Sequence, residues 1–386
     1  MIGSSLPGSR ARAMRSLGRL LRTRYPKFVF GLPLDEGRIP IFVYHDVDPG
    51  AFRSDLTFLR DNGYRTLAVD EFFAREGRDG TGKAVLLTFD DARRNFFETA
   101  FPLLSEFGAH ATLFVPTRWI RGEAARPPES ESEADPTGRE LFMTWDEMRA
   151  CLRSGLVDVQ SHTHRHALVH RSNQLVGFCS PEGLSRFDVF EWPARRGPDR
   201  IELGIPPVGT PVYASRPLLS TDVRYAESPS VHRVCRDYVT SEGGEAFFSR
   251  NDWYKRLRSV HDRVFARAGD ARWVAETELR DLASSEFRLS AALFEQELGV
   301  RPRFLAYPWM LGTERSILDA GAHGIRAVFG VALDHGRSRR ASGPVRVYTR
   351  IRGDWLRFLP GEGRLSLTKV IPDKVRRFWN EQHFAQ

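Results

Sequence analysis

Ala84-Val85-Leu86-Leu87-Thr88-Phe89-Asp90-Asp91 decides how this chain is read. An apolar run of that length, bounded by Gly82 and by the polar Asp90-Asp91-Ala92-Arg93-Arg94, predicts a buried strand. The two aspartates fall at its C-terminal end, where α/β folds gather ligands and catalytic groups. Successive strand residues point to opposite faces, so two adjacent carboxylates can take different tasks. One can hold a metal while the other moves a proton. The plainer alternative is that the pair caps the next helix.

The surrounding chain alternates strands and helices. Ile39 to His45 reads as the first strand and ends in His45-Asp46. Arg53 to Asn62 is helical up to Gly63, and residues 94–107 are helical up to Gly108. Ala111 to Val115 is the next strand, and residues 120–140, rich in Arg, Glu and Pro, form a loop. Thr144 can cap a helix from Trp145 to Arg153, and Leu156 to Gln160 is a strand running into His162-Thr163-His164-Arg165-His166. Periodicity weakens over 171–250 and returns as helices over 253–267 and 277–298. Strands follow at 303–308, 325–331 and 345–351. Repeated β–α units predict a parallel sheet with helical cover, and roughly seven of them suit an incomplete (β/α)7-type barrel. The expected organisation is a basic segment over 1–37 and a barrel over 38–356 with an insertion at 171–286. A basic amphipathic tail over 357–386 completes it.

Composition bounds the function. The 386 residues can bury a sizeable core, and the formal charge is +8. Lysine occurs only at positions 27, 83, 255, 369 and 374, so arginine supplies almost all the positive charge. A solvated basic surface, a membrane surface or an anionic substrate accounts for that balance; no nucleic-acid motif is present. Cys151, Cys179 and Cys235 are odd in number and far apart, which suits reduced thiols rather than disulfides or a zinc site. No apolar run reaches the roughly 20 residues needed to span a bilayer, and none of signal-peptide length follows the basic N-terminus. The expected location is cytoplasmic. Arginines interleaved with Met14, Leu17 and Leu21 would let residues 10–25 lie peripherally on an anionic membrane or pack as a surface helix.

His162 and His166 raise a metal hypothesis. Two histidines four residues apart can converge on one ion, on a helical turn or a tight loop. A carboxylate completes a facial set with open positions, and Asp91 is the natural third ligand if its strand lies alongside. A histidine-rich surface loop is the alternative.

Thr88-Phe89-Asp90-Asp91 followed by His162-Thr163-His164-Arg165-His166 resembles the polysaccharide deacetylase family (NodB homology, carbohydrate esterase family 4). Trp145-Asp146-Glu147-Met148 and Gly155 to His162 fit that family's context, and Phe304-Leu305-Ala306-Tyr307-Pro308-Trp309 resembles its third motif. Val43-Tyr44-His45-Asp46-Val47 is similar to an N-terminal element of a circularly permuted subgroup. The resemblance covers about residues 38–166 and 287–352. It implies a NodB-like barrel with a divalent metal, zinc first and Co, Ni or Fe as alternatives. Asp91, His162 and His166 would be the ligands, Asp90 the general base and His45 the general acid. Tyr307 and Trp309 would line the substrate, with a backbone N–H at Tyr307 for the oxyanion.

The chain departs from the pattern at Ala92, where glycine is usual, at Met310, and at Ala306, where many members carry an arginine that orients the base. Arg350, from a neighbouring strand, is the substitute. The implied function is hydrolytic removal of an acetyl or formyl group from an amino sugar or saccharide, an intracellular or lipid-linked precursor. A non-sugar N-acyl amide substrate and a non-catalytic saccharide-binding role remain alternatives. His164, between the two ligands, is expected to face solvent, with a place behind the ligands as the alternative, and His170, His232, His261 and His323 to be structural or exposed.

Overall fold

The computed structural model describes residues 25–34, 37–122, 141–196, 201–330 and 344–366. The basic helix expected from residue 10, most of the 120–140 loop and the tail beyond 366 lie outside them.

The sheet is built from β1 (Ile41–Tyr44), β2 (Arg65–Thr66), β3 (Ala84–Phe89), β4 (Ala111–Val115), β5 (Val157–Ser161), β6 (Phe304–Ala306), β7 (Ala327–Phe329), β8 (Arg346–Tyr348) and β9 (Ile351–Arg352). Their order is β8-β7-β6-β5-β4-β3-β1-β9, with β2 paired to β3, and every pairing is parallel. β8 and β9 lie at opposite edges, yet only Thr349 and Arg350 separate them. Three Cα steps span at most about 11 Å, so the sheet curls until its edges nearly meet. The expected incomplete α/β barrel is the architecture found, and Arg350 sits in its seam.

The two-residue period of β3 divides the organising strand. Val85, Leu87 and Phe89 pack outward into the main core with Phe42, Phe52, Phe96 and Leu113. Ala84 and Leu86 face the barrel interior with Ile41, Phe114, Phe304 and Phe329. Continuing that inward row places Thr88 and then Asp90 at the mouth. Helix signals held where local chemistry was complete. Thr144 accepts the Glu147 N–H at 3.2 Å while Glu147 accepts the Thr144 N–H at 2.7 Å, and this capping box starts the Trp145–Arg153 helix.

Three boundaries are corrected. Phe28 and Val29, expected in the N-terminal segment, are buried in the main core, because the turn at Gly31 (φ 85°) folds them under the barrel. Phe358 and Leu359, expected in the tail, are buried there too. The insertion leaves the barrel at Leu168, two residues after His166, and ends at Arg272–Trp273. The helix after it, Glu276–Leu298, belongs to the barrel: Phe294 enters the main core, and Arg149 bonds the Glu297 carboxylate at 2.8 Å.

The insertion has a core of its own. Strands Leu168–Phe178 and Pro211–Pro217 pair antiparallel, and helices Pro229–Ser241 and Trp253–Phe265 bury Val231, Cys235, Val239 and Leu257 against Phe178 and Phe247. The three cysteines are free and buried, and burial pushes each thiol up to about 12.

Beneath the hairpin lies a buried polar cluster. His170 bonds Glu227 at 3.1 Å, and the Arg196 N–H also donates to Glu227. Burial pulls His232 down to about 4. Burial would raise Glu227, but His170, His232 and the Arg196 N–H hold it at about 2. Both shifts carry the same sign for stability. An unfolded histidine takes its proton near pH 6.5, so the His232 contribution is present above that value and is lost as pH falls toward 4. The Glu227 contribution is lost between roughly 4.5 and 2. The histidine alone amounts to about 3 kcal/mol. Hydrogen exchange in the Pro229–Ser241 helix should therefore accelerate at pH 4 relative to pH 7, after correction for intrinsic rates. Equal protection at both values would contradict the assignment.

Candidate metal centre

Asp91, His162 and His166 meet at one point, with ligand atoms all within 4.8 Å of one another. The Asp91 Oδ1 lies 3.5 Å from His162 Nε2 and 3.5 Å from His166 Nε2. Ion-to-ligand bonds of about 2.0–2.1 Å in tetrahedral geometry give edges of roughly 3.3 Å. The spacing therefore fits a shared ion. It does not fit direct hydrogen bonds, since Asp91 Oδ1 has no hydrogen-bond partner among the described residues although it is buried. A buried, partnerless carboxylate oxygen calls for a cation.

The electrostatics agree. Burial would raise the Asp91 carboxyl, but His162, His166 and His45 hold it far below the usual range. Burial pulls His166 down to about 3, which keeps the ring neutral as a ligand must be. His162 donates from Nδ1 to the Ala306 carbonyl at 2.8 Å, which fixes its tautomer and turns Nε2 toward Asp91. Ala306 thus contributes through its backbone carbonyl.

Asp90 lies beside this cluster, 4% exposed, gripped by Arg350 from the barrel seam. Arg350 Nη1 reaches Asp90 Oδ1 at 2.6 Å and Nη2 reaches Oδ2 at 2.7 Å. Burial would raise Asp90, but Arg350, then His162 and His45, keep it below its ordinary value. Gly330, at φ 71°, leaves room for this fork: a Cβ there would lie 3.0 Å from Arg350 Nε. Both ends of its fork are spent on Asp90, so Arg350 orients that carboxylate.

His45 is exposed at the mouth. It follows Tyr44, whose carbonyl accepts the Asp90 N–H at 3.0 Å, so it emerges next to Asp90. Its charge reaches both Asp90 and Asp91. Asn95 fixes this loop, accepting the Val47 N–H at 2.8 Å and donating to the Val47 carbonyl at 3.1 Å.

Tyr307 is a correction. Its N–H donates to the Phe329 carbonyl at 3.2 Å, and its ring is buried with Ile317 and Phe287, so neither is offered to an oxyanion. Gly312 lies against that ring, where a Cβ would come within 2.8 Å. His164 is a second correction. It is buried, bonded to Thr117 Oγ1 at 2.9 Å, and burial pulls it to about 3.

Trp309 does line the centre, its ring centroid 4.3 Å from that of His166. Phe190, from the insertion, stacks on the same ring at 4.0 Å. Arg93 holds this wall in place: it lies over the Phe142 and Phe190 rings and bonds Asp188 at 2.7 Å. Asn95, Phe190 and Asp188 were missed because no local period marks them; only the Arg93–Asp188 charge pair could have hinted, and it spans 95 positions.

Left-handed backbone concentrates here. Of the non-glycine residues with positive φ, Asp91 (70°), Ala92 (49°), Thr163 (71°), His166 (49°), Trp309 (52°) and Met310 (57°) all belong to the centre or its rim. Such conformations cost of order 1–3 kcal/mol each and persist where surrounding contacts enforce them.

Residues 77–182 match the family model described as polysaccharide deacetylase. The matched stretch carries the strand and histidine motifs just described. The poly-β-1,6-N-acetyl-D-glucosamine N-deacetylase of Escherichia coli K12 is 33% identical over 122 residues, 31% of this chain and 18% of the relative. A Bacillus subtilis protein named as a polysaccharide deacetylase is 27% identical over 139 residues, 33% of this chain and 43% of its own length. The chain therefore spans less than half the length of either relative. A deacetylase domain from Bordetella bronchiseptica superposes with a TM-score of 0.49 at 17% identity, covering 82% of this chain and 97% of that one.

Proposed function

We propose that this chain is a metal-dependent hydrolase that removes an acyl group, acetyl foremost, from an amino sugar within a saccharide. The observation that carries the reading is the Asp91–His162–His166 triangle with Asp90 and His45 beside it. Asp91, His162 and His166 would hold a divalent ion, zinc first. Bound there, it would polarise the acyl carbonyl and make water acidic enough to attack at neutral pH. Asp90, held ionised and oriented by Arg350, takes the proton of the attacking water. His45 gives a proton to the departing amine, which would otherwise leave as a very poor anion. Trp309 and Phe190 shape the apolar flank over His166, and His45 is exposed.

A saccharide substrate is supported by the names of the relatives and by the partly exposed Trp309 ring, a face on which a sugar can stack. The arginine-rich residues before Tyr25 favour a lipid-linked form of it. Binding to anionic liposomes at low salt tests that refinement, and no binding removes it.

The deciding assay is acetate release from N-acetylglucosamine oligomers by the zinc- or cobalt-loaded protein. His45→Ala should lower kcat by about 10²–10⁴ and leave metal content unchanged. Acetate release at the wild-type rate would remove His45 as the acid. No release from oligomers, with turnover of small N-acyl amides, would replace the saccharide reading.

A further inference from the structure

We infer that Glu286 is a positioning residue for the metal ligands, one that grips the turn carrying both histidines from the helix that follows the insertion. The inference rests on the metal reading above but concerns residues outside the ligand set. Glu286 stands in the middle of the Glu276–Leu298 helix and is 1% exposed. Among the described residues, all its side-chain hydrogen bonds run to the histidine turn. Its Oε2 accepts the N–H of His164 at 3.0 Å and the N–H of Arg165 at 2.7 Å. Its Oε1 accepts from Arg165 Nη1 at 2.6 Å.

One turn further along the helix, Ser290 makes a second grip. Its hydroxyl lies 2.9 Å from Ser161 Oγ, which in turn accepts the Thr163 N–H at 3.1 Å. The helix therefore holds the turn on both sides of Thr163. Inside the turn, Thr163 and His166 are the left-handed residues, and the Thr163 hydroxyl accepts the His166 N–H at 3.2 Å.

The physical case is one of strain and burial. Two non-glycine residues in left-handed backbone would relax if the turn were free, and relaxation would swing His166 away from His162. Two backbone N–H groups that point into a buried region need an acceptor, and a carboxylate takes both while pairing with the Arg165 guanidinium. No other described contact supplies acceptors to the His164 and Arg165 amides. Glu286 thus sets the separation of the two imidazoles without touching the ion. The effect falls on metal affinity more than on the chemical step.

The test is cobalt affinity, by competition with a chromophoric chelator, and the visible spectrum of the Co²⁺-loaded protein. Glu286→Gln keeps size and one acceptor oxygen but turns an NH₂ toward a buried N–H or guanidinium. It should weaken Co²⁺ binding by about 10- to 100-fold, the range typical for lost outer contacts, and alter the visible bands. Its kcat at saturating metal should fall by much less. Glu278→Gln, on the same helix and in an exposed pair with Arg272, should bind cobalt as the wild type does. Should Glu286→Gln fail to fold, Ser290→Ala removes only the second grip and should weaken binding about fivefold. Affinity within twofold of wild type, with an unchanged spectrum, in whichever variant folds would overturn the inference. If the wild-type protein itself takes up no cobalt, the metal reading fails, and this inference with it; if the wild type binds and the variants match it, only the inference falls.

Discussion

Asp90→Asn is expected to lower kcat for deacylation by about 10²–10⁴ with the metal still bound. The substitution keeps the shape of the side chain and removes the charge and the basicity. None of the three ligand atoms is touched, so the ion stays. The proton of the attacking water then has no acceptor of adequate strength next to it. In the proposed mechanism His45 cannot stand in, because it supplies the leaving amine's proton. The same substitution leaves the Arg350 guanidinium buried opposite a neutral amide. Breaking one side of a buried pair costs about 3–5 kcal/mol, so the melting temperature should fall as well. The two effects separate in a measurement made well below the transition, with metal content determined on the same sample. A kcat within tenfold of wild type would remove Asp90 as the base.

The second large effect belongs to Arg350. Its side chain is 0% exposed and both ends of its guanidinium are bound to Asp90. Arg350→Met fills the space but leaves a buried carboxylate without its counter-charge, at a cost of about 3–5 kcal/mol near neutral pH. The variant can escape part of that cost by protonating Asp90. The sign follows from linkage. In the wild type Asp90 is depressed, so its contribution is present above the unfolded value and is lost as pH falls through the folded one. In the variant burial is opposed only by His162 and His45, so Asp90 rises above its wild-type value and the stability gap between variant and wild type should narrow in acid. The acid limb of kcat/KM should move to higher pH, because the base must be ionised to act. Pairing Arg350→Met with Asp90→Asn should cost less than the sum of the single changes. An unshifted acid limb would mean that Arg350 serves only the barrel seam.

Much of the barrel could be read from residues because its signals are local. β3 is a continuous apolar run ended by charge, the Trp145–Arg153 helix carries its capping box within four residues, and Gly108 and Gly299 stop helices in left-handed conformations. The Asp91–His162–His166 cluster was readable for the same reason, since two of its members share a five-residue motif. What failed to show depends on contacts between distant segments. The Leu168–Phe178 strand carries Arg171-Ser172-Asn173-Gln174 on its exposed stretch and shifts register twice, so no alternation survives. Glu286 sits in a helix whose pattern explains it equally well as an exposed residue. The Tyr307 assignment followed a motif position, but a parallel pairing with β7 takes its N–H, and such pairing cannot be read from the motif itself.

Phe190 shows the functional consequence of that limit. It comes from a segment without periodicity and packs face to face on the His166 ring. The insertion is therefore part of the centre's wall, positioned there by Arg93 from the loop that follows Asp91.

The account depends most on a single ion shared by Asp91, His162 and His166, and metal stoichiometry measures that directly. Apo protein titrated with Zn²⁺ or Co²⁺ should take up one tight equivalent, and His166→Ala and Asp91→Ala should each abolish that equivalent while remaining folded. Wild-type protein that binds no ion, or variants that bind it as tightly as wild type, would contradict the account.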